Sequence, residues 1–208
     1  MTRARDLVAA ALALAVLWPV LVVLAILIRL DSRGPIMYRQ ERVGLDGKRF
    51  RIHKFRSMQV GSAGPAVTAE NDPRITRVGR WLRATKLDEL PQLLDVVKGD
   101  MSLVGPRPEV PHYVELWPDH LRPVILSVRP GITDPATVLL RSEASILAAS
   151  ADPERTYVDE LLPLKAQAYA EYVRTRSFSG DLAVIARTLG AVLRPAASPR
   201  TPKDLKTR

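Results

Sequence analysis

Between Leu7 and Ile28 the chain carries no charged residue. That run of roughly 22 apolar residues constrains the fold more than any other feature, because about 20 of them in a helix cross a bilayer's hydrocarbon core. It is longer than the apolar region of a signal peptide. The Ala-x-Ala pattern at Ala11 and Ala13 falls in its first half, where cleavage would leave an apolar stub. On the residues alone, two readings stay open. One is an ordinary spanning anchor. The other is a re-entrant helix that enters the bilayer, breaks and returns to the same face. Pro19 sits near the middle, lacks an N–H and crowds the carbonyl four residues back. Arg3 and Arg5 precede the run, and Arg29, Arg33, Arg39 and Arg42 follow it. Positive flanks mark the cytoplasmic side, and here both ends ask for that side. A proline kink is equally at home in a spanning helix.

Composition narrows the rest. A length of 208 residues with 47% hydrophobic content is one domain with a real core. With no cysteine there is no disulfide, thiolate nucleophile or Cys-ligated zinc, and His53, His112 and His120 have no metal-ligand spacing. Aromatics at 5% are few for a stacking platform on single-stranded nucleic acid. The net charge of +9 attracts polyanions, whether nucleic acid, acidic lipid or phosphorylated substrate.

Beyond Arg29, Ile36–Tyr38 and Phe50–His53 read as strands of a hairpin around Gly44–Gly47. Gly61–Asn71 reads as a mobile polar loop. Val78–Thr85 and Leu87–Val97 read as helices, the second with Leu87, Leu90, Leu93, Leu94 and Val97 on one face. Gly105–Pro108 reads as stiffened extended chain. Pro111–Leu126 reads as helix interrupted at Pro118 and Pro123, and Arg129–Gly131 as a rigid turn. A helix starts at Asp152 and reaches about Ser177. Phe178–Leu193 reads as an apolar helix suited to a membrane surface. Pro195–Arg208 reads as a disordered tail.

Asp88 and Glu89 are adjacent acids. Alone they mean little, since such pairs commonly complement a helix N-terminus. Their setting is more specific. Arg80, Arg83 and Lys86 precede them, and Arg107 lies between two prolines. Carboxylates among cations beside an apolar segment suit a phosphate substrate with a divalent metal. Mg²⁺ commonly takes one or two carboxylates plus substrate phosphates, and arginine forks match phosphate oxygens.

The motifs, taken in order, resemble the small monotopic phosphoglycosyl transferases, or bacterial sugar transferases. They are Gln40 with Arg42 and Gly44; Phe50 to Met58; Arg83 ahead of Leu87-Asp88-Glu89-Leu90-Pro91-Gln92-Leu93; Lys98 to Pro108, ending in Gly-Pro-Arg-Pro; Arg129-Pro130-Gly131-Ile132-Thr133; and Ser177-Phe178 before Asp181-Leu182. The resemblance runs from about Arg5 to Leu193.

It implies an α+β, mostly helical fold. Residues 1–30 would form a re-entrant membrane helix broken near Pro19. Residues 31–194 would form a small cytoplasmic catalytic domain with interfacial amphipathic helices, and 195–208 a disordered basic tail. The place implied is the cytoplasmic face of a bacterial inner membrane. The activity implied is transfer of a sugar-1-phosphate from a nucleotide-diphospho-sugar, UDP-linked, to polyprenyl (undecaprenyl) phosphate, the first membrane step of glycoconjugate or exopolysaccharide assembly. By the same resemblance Asp88 is the nucleophile, and Glu89 binds Mg²⁺ with it and helps deprotonate the lipid phosphate. Lys54, Arg56, Arg83, Arg107, Arg141 and Asp181 would hold substrate phosphates. The bilayer is a partner and nucleic acid is not. The chain's shortness suggests the catalytic core alone.

Two departures stand out. The helix break of many members is Ser-Pro, and here it is Trp18-Pro19. Many members continue with Gly-Trp after the Arg-Pro-Gly-Ile-Thr stretch, whereas this chain has Asp134-Pro135-Ala136, so no sugar identity carries over. Two other functions compete. A membrane-tethered basic module binding anionic lipid or nucleic acid explains the charge but not the acids beside Pro-Arg-Pro. A glycoside hydrolase needs carboxyl groups facing each other about 5–9.5 Å apart, which adjacent residues rarely provide.

Overall fold

A computed structural model describes residues 3–61, 72–134 and 143–193. Most of the expected 61–71 loop, Arg141 and the 195–208 tail lie outside the described residues. The α+β, mostly helical expectation holds: helices dominate and two small strand pairs join them.

Helix α1 (Arg3–Asp31) is one uninterrupted helix with Pro19 inside it. The expected break therefore does not appear as a departure from helix. Pro19 lies on the exposed face, and the inward stripe keeps its phase across it. Ala10, Ala13, Leu14 and Leu17 pack on Phe50, Ile52, Leu93, Val96 and Met101. Leu21, Leu24, Ala25 and Ile28 pack on Phe55 and Leu82. Both ends are also tied to the domain. Near the start, the Arg3 guanidinium donates to the carbonyls of Val96 and Val97. At the other end, Asp31 accepts from the backbone N–H of Val78 at 3.1 Å. The opposite face is apolar and open, with Leu12, Val16, Trp18, Val23 and Leu30 all exposed. Among the described residues it is the one helix long and apolar enough to cross a membrane.

The hairpin forms as expected and runs longer than the sequence signal. Strands β1 (Met37–Val43) and β2 (Arg49–Phe55) pair antiparallel, with Met37 opposite Phe55 and Val43 opposite Arg49. Helix α2 (Arg77–Thr85) starts at Thr76, whose hydroxyl accepts from Gly79 N–H at 3.0 Å. It stops at Lys86, which adopts a left-handed conformation (φ 58°). The single helix expected over Leu87–Val97 is instead a 3-10 segment, Leu87–Gln92, followed by α3 (Leu93–Lys98). Pro91 cannot donate to the carbonyl of Leu87, so an α-helical bond is missing where the tighter winding occurs.

Strands β3 (Ser102–Val104) and β4 (Gly131–Thr133) form a parallel pair that the sequence reading, with stiffened extended chain from Gly105 and a rigid turn at Arg129–Gly131, does not anticipate. The strands meet because Gly105 and Gly131 lack side chains. A Cβ on Gly131 would lie 2.1 Å from Gly105 N, and one on Gly105 would lie 2.6 Å from Arg129 O. The segment expected over 111–126 breaks around Pro118, into α4 (Pro111–Glu115) and α5 (Arg122–Leu126), whereas Pro123, expected as a second interruption, sits in the first turn of α5, where its missing N–H removes no helical bond. Helices α6 (Glu143–Ala148) and α7 (Pro153–Thr156) follow. A π turn over Tyr157–Leu161 then leads into α8 (Leu162–Thr175). Their core is Tyr113, Trp117, Leu121, Ile125, Leu161 and Tyr169. Helix α9 (Phe178–Leu193) closes the described chain.

Candidate active site

The acid pair sits on the 3-10 segment that follows Lys86. Adjacent surface acids at a helix start are usually solvated, but Asp88 is 1% exposed and Glu89 is 6% exposed. Strand β2 delivers Lys54 to them: its Nζ lies 2.8 Å from Asp88 Oδ2 and 3.3 Å from Glu89 Oε1. The Pro106-Arg107-Pro108 turn delivers the second cation. Arg107 straddles Glu89, with Nη2 to Oε1 at 2.5 Å and Nη1 to Oε2 at 3.3 Å. The Gly105–Gly131 contact fixes that turn, and the Gly131 N–H donates to Pro106 O at 2.9 Å.

Electrostatics separates the two acids. Burial opposes the charge on Glu89, but Arg107, Lys54 and Lys86 outweigh it and hold its carboxyl well below the usual range. Glu89 in turn pushes the Arg107 guanidinium further up, against its own burial. Asp88 is less engaged. Its approach to Lys54 is an ion pair outside hydrogen-bonding geometry, and neither of its oxygens has a hydrogen-bond partner among the described residues. A buried carboxylate in that condition is costly.

Behind Arg107 lies a second ionic cluster. Glu109 accepts from Tyr157 Oη at 2.8 Å and lies 3.2 Å from Lys165 Nζ and 3.4 Å from an Arg42 Nη1. Arg42 also donates to Pro108 O at 3.0 Å, which pins the Arg107 turn from its far side. Lys165 further pairs with Glu143 at 3.4 Å. Burial raises Glu109, but Lys165 and Arg42 bring it below the ordinary range. Burial lowers Lys165, but Glu143 and Glu109 lift it well above.

Of the residues expected to hold phosphate, Lys54 and Arg107 converge on Asp88 and Glu89. Arg56 does not. It is 4% exposed, and its guanidinium donates to Ile28 O, Ser32 O and Arg33 O. It clamps the end of α1, because the chain leaves β2 at Phe55 and turns. Arg83 lies within electrostatic reach of Asp72 and has no hydrogen bond to the acid pair. Asp181 is buried and accepts from Tyr172 Oη at 2.6 Å. It is not the cap of α9, a task done by Ser177 Oγ, which accepts from Gly180 N at 3.1 Å. Arg141 lies outside the described residues.

Two further residues belong to the neighbourhood. Lys86 acts on Glu89 from a left-handed backbone position, the kind of outlier that marks functional segments. Asp134, 1% exposed, acts on Arg107 and on Tyr169. The sequence signal for Asp134 was present as a departure from the family pattern at that position.

Among the described residues no three His, Asp or Glu side chains group to hold a metal ion. The donor set fits an ion shared with substrate phosphates. Asp88 brings oxygens with no hydrogen-bond partner, whereas both Glu89 oxygens face cations.

Comparisons with known proteins identify the family of the chain. The bacterial sugar transferase family model matches residues 1–195. The UDP-glucose:undecaprenyl-phosphate glucose-1-phosphate transferase of Caulobacter vibrioides is 39% identical over 196 residues, covering 92% of this chain and 69% of that protein. The Escherichia coli (strain K12) protein of the same name is 46% identical over 135 residues, covering 63% of this chain and 29% of that protein. The UDP-N-acetylgalactosamine-undecaprenyl-phosphate N-acetylgalactosaminephosphotransferase of Aeromonas hydrophila is 37% identical over 196 residues, covering 92% of this chain and 43% of that protein. The chain thus spans less than half the length of the second and third of these relatives. With its acid pair, its Pro-Arg-Pro turn and a match over nearly its whole length, the chain belongs to the bacterial sugar transferase family.

Proposed function

We propose that this chain is a transferase that moves a sugar-1-phosphate from a UDP-sugar to undecaprenyl phosphate through a covalent intermediate on Asp88. The observation that carries the reading is Asp88 itself: a buried carboxylate with no hydrogen-bond partner among the described residues, beside Lys54 and a fork of Arg107 on Glu89. A structural acid would be satisfied. An acid whose oxygens await a phosphorus atom need not be.

In the first step an Asp88 oxygen attacks the β-phosphorus of the donor. The bond from that phosphorus to the bridging oxygen breaks, and uridine monophosphate leaves with the electron pair. In the second step an oxygen of undecaprenyl phosphate attacks the same phosphorus. The bond to Asp88 breaks, the carboxylate is regenerated, and the product is undecaprenyl-diphospho-sugar. Splitting one displacement into two predicts ping-pong kinetics. Phosphoryl transfer asks mainly for positioning and charge neutralisation, which Lys54 and Arg107 supply. Glu89, kept ionised by three cations, is a weak base. Its work is to hold Lys54 and Arg107 in place until donor phosphates take over their charges. The acceptor needs little help with its proton, since a phosphate monoester loses its second proton near pH 6. Asp88 and Glu89 would hold Mg²⁺ together with the donor diphosphate, and the ion would supply further charge neutralisation. The relatives act on different sugars, glucose and N-acetylgalactosamine by name, so the sugar here is left general.

The membrane reading rests on α1. A helix of 29 residues is about 43 Å long, more than enough to cross. Yet both its ends bond the same small domain. Ends on one domain belong in one compartment, which supports a helix that enters a single leaflet with its open apolar face and does not cross. The arginines at both ends favour the cytoplasmic side.

The test incubates the detergent-solubilised chain with a panel of UDP-sugars and Mg²⁺ and searches by mass spectrometry for a phospho-sugar on the peptide containing Asp88. An adduct that disappears on adding undecaprenyl phosphate is expected. No adduct with any donor, together with no lipid-linked product, would sink the proposal.

A further inference from the structure

A polar cavity of about 60 Å³ lies away from the acid pair, between the start of α1, strand β3 and the end of α8. Its chemistry comes from Arg3, Asp6, Ser102, Arg129, Tyr172 and Arg176. None of Asp88, Glu89, Lys54 or Arg107 lines it. At about 10–15 Å³ per water-sized probe, the space holds several waters or one tetrahedral oxyanion.

Some of these polar groups are committed and others are not. Arg3 caps the end of α3 through Val96 O and Val97 O. Arg129 uses Nε on Gly99 O at 2.8 Å, and its two terminal nitrogens have no hydrogen-bond partner among the described residues. Arg176 is exposed and donates to nothing among them. Ser102 Oγ donates to Asp6 Oδ2 at 2.5 Å, and Tyr172 Oη donates to Asp181 at 2.6 Å. Asp6 is 3% exposed, and its Oδ1 is buried with no hydrogen-bond partner. The cavity therefore has guanidinium forks waiting for acceptor oxygens and one carboxylate oxygen waiting for a donor. Three positive charges face one negative.

A ligand that answers both needs carries a phosphate and a hydrogen-bond donor close to it. The surroundings say where such a ligand comes from. On α1, Leu7 and Val8 follow Asp6 directly and are exposed. On α9, Phe178 and Leu182 are exposed, and Arg5 lies 4.8 Å over the Phe178 ring, linking the two apolar edges. A free phosphate has no use for these edges, whereas acyl chains do. We propose that this cavity binds the phosphodiester headgroup of a membrane phospholipid whose headgroup carries a hydroxyl donor. The phosphate oxygens sit on Arg129 and Arg176, the donor on Asp6 Oδ1, and the acyl chains along α1 and α9. The site would fix the depth and tilt of the domain at the bilayer, independently of turnover.

Native mass spectrometry of the full chain, released from detergent after titration with phosphatidylglycerol or phosphatidylcholine, tests this. Phosphatidylcholine has the phosphodiester but no headgroup donor. Phosphatidylglycerol should be retained as one bound lipid and phosphatidylcholine should not. Arg176→Met, which breaks no hydrogen bond among the described residues, should weaken retention roughly fivefold, the worth of one arginine near an anionic lipid surface. Arg51→Met, an exposed arginine on β2 outside the cavity, should leave it unchanged. Asp88→Asn should leave it unchanged too. Should Arg129→Met fold poorly, Arg176→Met alone carries the test. Equal retention of both lipids would overturn the proposal. So would equal weakening by Arg51→Met, loss of the lipid in Asp88→Asn, or full displacement by inorganic phosphate at the same concentration, which would mark a free-anion site.

Discussion

Two buried ionic clusters flank the Pro106-Arg107-Pro108 turn, and they are built to opposite standards. Behind the turn, Glu109 and Lys165 have their charges answered by Arg42, Tyr157 and Glu143 at 2.8 to 3.4 Å. In front of it, Asp88 has one ion pair and no hydrogen bond among the described residues. Both sets pair buried acids with cations, so burial of the acids does not tell them apart. Satisfaction does. A closed set holds a turn in place and resists rearrangement. An open set carries an energetic cost that is relieved only when something else binds.

The strongest way to break this contrast is Asp88→Asn. Activity should fall at least about a thousandfold, as expected for loss of a nucleophile, while the thermal unfolding midpoint holds or rises. A variant that keeps wild-type turnover in a lipid-product assay would end the distinction. Lys165→Met attacks the closed set and should do the reverse. It leaves Glu109 buried with a partner missing, which typically costs about 3–5 kcal/mol, measurable by urea denaturation. A loss below about 1 kcal/mol would show that the closed cluster contributes little.

Acid titration sharpens the same point. Glu109 has its folded pKa depressed below the ordinary 4.5. Its stabilising contribution is therefore present above pH 4.5 and is lost as pH falls through the folded value. The stability gap between wild type and Glu109→Gln should be widest near neutrality and shrink below pH 4.5. A gap that stays constant with pH would mean the charge is not what stabilises. The smallest effect belongs to Lys86→Gly. Removing a side chain from a left-handed backbone position relieves about 1 kcal/mol. Turnover should nevertheless fall, by roughly tenfold or less, because one of the cations facing Glu89 is gone. Stability and activity measured on the same preparation should move in opposite directions.

The chemistry of the site was legible in the residues, but the direction of several side chains was not. Asp88, Glu89 and Arg107 stand out as acids and a proline-flanked cation near one another, but the family resemblance is what adds Lys54 and gives each of the four its expected role. Arg56 is expected beside Lys54 as a phosphate ligand on the family resemblance alone. The strand ends at Phe55, however, and Arg56 turns to the carbonyls at the end of α1. Asp181, expected as a phosphate ligand, is buried and accepts from Tyr172 Oη, and Ser177 caps α9. The β3–β4 pair gave no periodic signal, being two three-residue strands separated by two helices. Its trace in the sequence is a glycine on each side, meaningful only once the two backbones are known to meet.

The sequence by itself determined the length of the apolar helix, the hairpin, the break at Pro118 and the residue types of the candidate site. These depend on local sterics and on composition, which act over a few residues. Tertiary structure alone decided that α1 runs lengthwise along the domain through Pro19. It also decided that Arg56 serves the fold and that Glu109 and Lys165 stand behind Arg107. Those outcomes depend on which distant surfaces close on one another. A side chain's partner across a core is set by shape and charge summed over the whole chain, and no short stretch of residues contains that sum.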